Sequence, residues 1–169
     1  MAVHGETSRY DAGRGLWLAG DGTGNFRPMS GAQSGVNVYG EQRGSAVCDY
    51  DADGRVDLVV SQNGAETKLY HNVGAKPGLR VRLSGLPGNP NGIGATVRLV
   101  TGDKMGPARE IHAGSGYWSQ DGAVQVLASR QPPTQLWVRW PGGKEMTVGL
   151  PAGAREVTVD TARKITKTR

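Results

Sequence analysis

The sequence predicts an all-β protein, and three observations carry that prediction. The 169 residues include 27 Gly and 9 Pro but one Phe and few long apolar runs, a composition of short strands and tight turns. Apolar and polar residues alternate over short stretches, as in Leu79-Arg80-Val81-Arg82-Leu83. An acidic loop, Asp49-Tyr50-Asp51-Ala52-Asp53-Gly54-Arg55-Val56-Asp57, runs straight into Leu58-Val59-Val60, whose β-branched valines suit a buried strand.

Taken in order, residues 15–18 form a short apolar strand. Gly20-Asp21-Gly22-Thr23-Gly24-Asn25-Phe26 then reads as a hairpin turn with an aromatic anchor. It is not a dinucleotide fingerprint, because the glycine spacing is wrong and no helical pattern follows. Residues 36–39 suit another short strand. Residues 45–48, the acidic loop, 58–61, a polar turn at 62–65 and 68–73 read as strand, loop, strand, turn, strand. Lys76-Pro77-Gly78 marks a boundary by its backbone breakers. Beyond it, strands are expected at 79–83, 94–100, 108–113, 124–127, 136–140, 146–148 and 156–159. Glycine, proline and asparagine turns separate them, and seven short strands at this spacing predict a small β-sandwich or barrel. The organisation is therefore a first region, residues 1–75, a β domain, residues 79–160, and a tail, residues 161–169.

The formal net charge is +5, and the tail contributes Arg163, Lys164, Lys167 and Arg169 with no acidic residue. Without the tail the body is close to neutral. A nucleic-acid partner needs a basic face on a recognisable module, which is not visible here, and a short basic tail reads as a frayed end. No run is long enough to span a membrane. The first residues lack a charged segment followed by an apolar one, so no signal peptide is visible.

The acidic loop has the composition of a calcium site. Asp49, Asp51, Asp53 and Asp57 occupy positions 1, 3, 5 and 9, Gly54 allows the bend at position 6, and the Arg55 carbonyl falls at position 7. Calcium takes six to eight oxygen ligands at roughly 2.3–2.6 Å. An EF-hand would need Glu at position 12, where Val60 stands, so the site is a strand–loop–strand one closed by Asp57. A solvated acidic turn is the alternative. Four like charges within nine residues repel one another unless something neutralises them, which favours a bound Ca2+.

The segment Asp49 to Leu58, with the earlier Gly20 to Phe26 turn, resembles the FG-GAP or VCBS repeat, the unit of integrin-like β-propellers. The resemblance implies a partial β-propeller: the end of one repeat and most of the next. A propeller closes with four or more blades, so the chain is expected to be the C-terminal piece of a longer protein. The second region resembles the ASPIC/UnbV domain, found at the C-terminus of FG-GAP proteins that include the cartilage acidic protein family. Three segments carry this: Asn91 to Ala95, Arg109 to Gln120, and Val138-Arg139-Trp140-Pro141-Gly142-Gly143. A departure falls at Val124-Gln125-Val126-Leu127-Ala128, where the family usually shows a His-Phe-Gly-Leu-Gly-like stretch. Together the resemblances imply an extracytoplasmic or secreted calcium-binding module that contacts a protein or carbohydrate ligand without catalysing a reaction. The alternative is a non-catalytic accessory region of a larger secreted enzyme system.

Other chemistry is weakly signalled. Gly114-Ser115-Gly116 with His112 and Asp121 lacks the strand–helix context of a nucleophile elbow. His4, His71 and His112 have no partner at metal-ligand spacing and read as surface or strand residues. Cys48 cannot form an internal disulfide and reads as a small hydrophobe. Trp118, Trp137, Trp140 and Tyr117 are expected mostly in the core, with Trp137 facing outward. Arg80, Arg82, Arg98, Arg109 and Arg139 sit on strands, where a solvated face is expected and an anion-binding surface is the sharper alternative.

Overall fold

The computed structural model describes residues 15–168. The start of the predicted first region and Arg169 lie outside the described residues. Strands β1 (Trp17–Gly20) and β2 (Phe26–Met29) pair as an antiparallel hairpin, as the turn residues between them predicted. Asp21 holds that turn. Its carboxylate accepts from the Thr23 amide and hydroxyl, both at 2.7 Å, and from Asn25 Nδ2 at 3.1 Å. A four-residue helix, α1 (Gly31–Ser34), follows, opened by a Ser30–Gln33 capping box and closed by Gly35 at φ 74°.

The strand expected at 36–39 does not form. The Asn37 amide donates to the Tyr70 hydroxyl at 3.2 Å and the Gly40 amide to Gln62 Oε1 at 2.9 Å. Side chains thus take backbone donors that a ladder would have used, although Val38 is buried. Strands β3 (Glu41–Cys48), β4 (Asp57–Asn63) and β5 (Ala65–Tyr70) form an antiparallel three-stranded sheet. The acidic loop joins β3 to β4, and β5 is an exposed edge.

The rest of the chain makes two facing sheets. One runs β10 (Gln125–Leu127), β6 (Leu79–Ser84), β13 (Glu156–Asp160) and β14 (Ile165–Thr168), with β6 and β13 parallel. The other runs β12 (Glu145–Gly149), β11 (Gln135–Arg139), β7 (Thr96–Thr101) and β8 (Lys104–Met105), with β9 (Arg109–Glu110) also pairing β7. The parallel pair forces a long crossover, and the whole second sheet lies within it. Inward residues of both sheets build one core: Leu79, Val81, Leu83, Val157 and Val159 against Val97, Leu99, Leu136, Val138, Met146 and Val148, with Trp140 and Ile111 filling the ends. Each such side chain contributes about 1.5–3 kcal/mol on leaving water.

Several expectations change here. Residues 108–113 keep only the two-residue β9, and Ile111 turns into the core from the loop beyond it. The tail does not fray, because β14 pairs antiparallel with β13 and Ile165 packs on the core. Arg80 is buried instead of solvated. Trp140 is in the core, but Tyr117 and Trp118 stand 64% and 88% exposed.

The two regions meet directly. The Gly78 amide donates to the Gly54 carbonyl at 2.8 Å, and the Gly122 amide to the Val47 carbonyl at 2.9 Å. A side chain at Gly44 would place Cβ 3.0 and 3.1 Å from the carbonyl oxygens of Tyr117 and Trp118, so β3 approaches that turn as closely as glycine permits.

Candidate metal centre

The acidic loop folds around its own backbone. Asp49 accepts from the Asp53 amide at 3.0 Å through Oδ1 and from the Gly54 amide at 2.8 Å through Oδ2. Asp57, buried at the start of β4, accepts from the Tyr50 amide at 3.2 Å and the Asn72 amide at 2.8 Å. Asp53 accepts from the Arg55 amide at 2.8 Å. These bonds bend the loop inward, and Gly54 at φ 86° with Ala52 at φ 63° completes the turn.

Of the predicted ligands, Asp49, Asp51 and Asp57 bring carboxylate oxygens within 4.8 Å of one another. Asp53 joins a second group with Asp51 and His71. The Arg55 side chain turns to the Asp53 carboxylate and the Ala75 carbonyl. The donors are carboxylate oxygens, each with more lone pairs than its amide partners use, which suits a hard cation such as calcium.

Sequence reasoning missed two residues. His71 Nε2 lies 3.1 Å from Asp51 Oδ2 and 3.6 Å from Asp53 Oδ2, and its ring meets Tyr50 edge-on at 5.6 Å. The β4–β5 register, with Leu58 opposite Tyr70, sets residue 71 beside the end of the loop. The hairpin turn carried that signal. Arg80 is the second: its guanidinium bridges Asp49 Oδ2 and Glu156 Oε2, the latter at 3.1 Å. Burial works against its charge, but the bonds to Asp49 and Glu156 outweigh it and hold its pKa above the ordinary value. Burial likewise opposes ionisation of Asp53, and the Arg55 side chain and amide prevail, keeping it below the usual carboxylate range.

Beside the loop lies a cleft of about 920 Å³. The end of β3 forms one wall, the outer face of β7 and β11 the other, and the turn containing Gly114 and Ser115 a rim. Cys48 lines it, but burial, then the carboxylates of Asp57, Asp49 and Asp121, push its thiol pKa up and disfavour the thiolate. Asp121 accepts from the Val47 amide at 2.8 Å, and His112 Nδ1 lies 3.6 Å from Glu110 Oε1.

Among relatives, the chain is 30% identical over 128 residues to Cartilage acidic protein 1 of Xenopus tropicalis, an alignment covering 73% of this chain and 20% of that protein. The chain thus spans about a fifth of the length of the curated relative it matches. The family model described as ASPIC and UnbV matches residues 85–166, beginning directly after β6 and reaching into β14. The facing sheets and shared core described above are therefore, over residues 85–166, the structure of an ASPIC and UnbV match.

Proposed function

We propose that this chain is a calcium-stabilised, non-catalytic interaction module of an extracytoplasmic protein. Asp49, Asp51, Asp53 and Asp57 with the Arg55 carbonyl would hold Ca2+ between β3 and β4. The observation that carries the reading is the convergence of Asp49, Asp51 and Asp57 in a loop bonded to the neighbouring domain. Calcium would add positive charge beyond that of Arg55 and Arg80, which reach Asp53 and Asp49, and fix the shape of the loop. Non-catalytic use is supported by the disfavoured Cys48 thiolate and by the engagement of His112 and Asp121 with partners other than Ser115.

The same proposal treats β3–β5 as part of an FG-GAP or VCBS blade in a propeller that a longer protein completes. Exposed apolar side chains support it: Leu16, Trp17, Phe26, Tyr39, Leu69 and Val73 are all exposed ahead of residue 76, and β5 leaves an open sheet edge. Apolar side chains and open edges are what neighbouring repeats cover.

Thermal unfolding with Ca2+ and with EDTA tests the ion. A ligand confined to the native state stabilises it by about 2.7 kcal/mol at a hundredfold excess over Kd. The midpoint is expected to rise with Ca2+ in the parent chain and not in Asp51→Ala, which removes the side-chain oxygens while the bonds of Asp49 and Asp57 stay intact. Equal midpoints in Ca2+ and EDTA would overturn the calcium assignment.

A further inference from the structure

The cleft beside the loop carries a charge pattern that the calcium reading does not use. Arg98, Arg109 and Arg139 line it, and among the described residues no carboxylate lies within ion-pair distance of any of them. Arg98 lies over the Trp137 ring, its guanidinium carbon 5.9 Å from the centroid, and donates to the Gly106 carbonyl at 3.4 Å. Arg139 donates to the Thr96 hydroxyl, also at 3.4 Å. The strand register sets Trp137 opposite Arg98 and Arg139 opposite Thr96, so these groups share one face of rigid sheet. The carboxylates that also line the cleft are engaged elsewhere: Asp49 with Arg80, Asp121 with the Val47 amide, and Glu110 beside His112.

The rim adds a second chemistry. Its turn, closed by the Ser115 amide to the Ser119 carbonyl at 3.0 Å, lines the cleft with Gly114 and Ser115 and, beyond that lining, exposes Tyr117 and Trp118, with ring centroids 5.9 Å apart and planes 30° from parallel. Trp118 holds φ 51° while 88% exposed. A large side chain held in that region without burial marks a position with a use other than packing.

We propose that this cleft binds an acidic oligosaccharide. Guanidinium forks take its carboxylate or sulfate groups, and the Trp137 ring in the cleft, with Tyr117 and Trp118 on the turn beyond the rim, takes the apolar faces of its pyranose rings. Arginine stays charged at every physiological pH and matches such oxyanions bidentately. A cleft of about 920 Å³ falls in the size range of small-ligand sites. The assignment rests on reading the chain as an interaction module and names the ligand class of that module.

The test is calorimetric titration of the full chain, in Ca2+, with four probes: tetragalacturonate, a heparin tetrasaccharide, maltotetraose and hexaglutamate. One or both acidic saccharides are expected to bind one to one, and which of them binds distinguishes carboxylate from sulfate recognition. Maltotetraose is expected to bind at least tenfold more weakly, as for the loss of one charge-assisted contact, and hexaglutamate likewise, because it has carboxylates but no pyranose faces for the aromatic rings. Arg98→Gln and Arg139→Gln should each weaken binding by about tenfold, and Arg82→Gln, exposed outside the cleft, should leave it unchanged. Arg109→Gln, at the exposed edge, replaces Arg98→Gln if that variant unfolds early.

Hexaglutamate binding as tightly as the saccharides would overturn the proposal in favour of an acidic peptide. Equal loss in Arg82→Gln would reduce it to diffuse attraction, and absence of binding by either acidic saccharide would end it. A calcium-dependent midpoint measured on the same samples separates the two readings: if it persists without saccharide binding, only the ligand assignment fails. New reducing ends during incubation would instead overturn the non-catalytic reading.

Discussion

Arg80 occupies a position that the alternation of β6 would turn to solvent, yet the acidic loop covers it and it joins Asp49 to Glu156. Removing one member of a buried ionic group leaves the others uncompensated, at a cost of about 3–5 kcal/mol. Arg80→Gln is therefore expected to lower the unfolding midpoint by roughly 10 °C, at about 2–4 °C per kcal/mol for a chain of this size. A fall of only a degree or two would show that the guanidinium is not held between the two carboxylates.

Asp21 offers a cleaner titration. Hydrogen bonds from the Thr23 amide, then the Thr23 hydroxyl and Asn25, lower its pKa to about 2 from 3.8. The folded value lies below the unfolded one. Its contribution is accordingly complete above about pH 4 and is lost as pH falls through about 2. Carbon-detected NMR of the Asp21 carboxyl should give that midpoint in the parent chain and a higher one in Thr23→Ala, still short of 3.8, because the variant removes the hydroxyl donor and keeps the residue-23 amide and Asn25.

At the level of elements, β14 separates composition from context. Its sequence, Ile-Thr-Lys-Thr within a basic run, has the look of a chain end, and only Ile165 hints at burial. The structure uses that one residue: Ile165 packs on the core, and β13, buried on its inner face, has a free edge for β14 to pair. Truncation after Lys164 is expected to destabilise the domain by about 1–3 kcal/mol through the lost isoleucine contact alone. An unchanged denaturation midpoint would return the segment to the status of a loose end. The strands at 58–61, 79–83, 136–140, 146–148 and 156–159 were legible because alternation and β-branching report burial directly. Residues 36–39 misled for a different reason: the Asn37 amide goes to the Tyr70 side chain and that of the adjoining Gly40 to Gln62, and such pairings leave no local trace.

Over the whole molecule, the sequence displayed the ligand types of the acidic loop but not its surroundings. Asp49, Asp51, Asp53 and Asp57 are adjacent in the chain, so their spacing could be read. His71 and Arg80 reach the loop through a hairpin register and through the contact between regions, neither of which periodicity reveals. The breakers Lys76-Pro77-Gly78 were equally visible in the sequence. The bonds across them, from Gly78 to Gly54 and from Gly122 to Val47, were not, because they join residues far apart in sequence or lacking side chains.

Asp49 stands in two circuits at once. One oxygen serves the loop through the Asp53 amide, while the other serves both the Gly54 amide and the guanidinium that leads to Glu156 on β13. A cation entering the loop must share that carboxylate with Arg80. On the proposed reading, ion affinity and the grip between regions would be linked reciprocally: whatever strengthened or weakened one would change the other by the same free energy. Cutting the chain at its apparent boundary would not release two independent parts, because each would take away half of a shared thermodynamic unit.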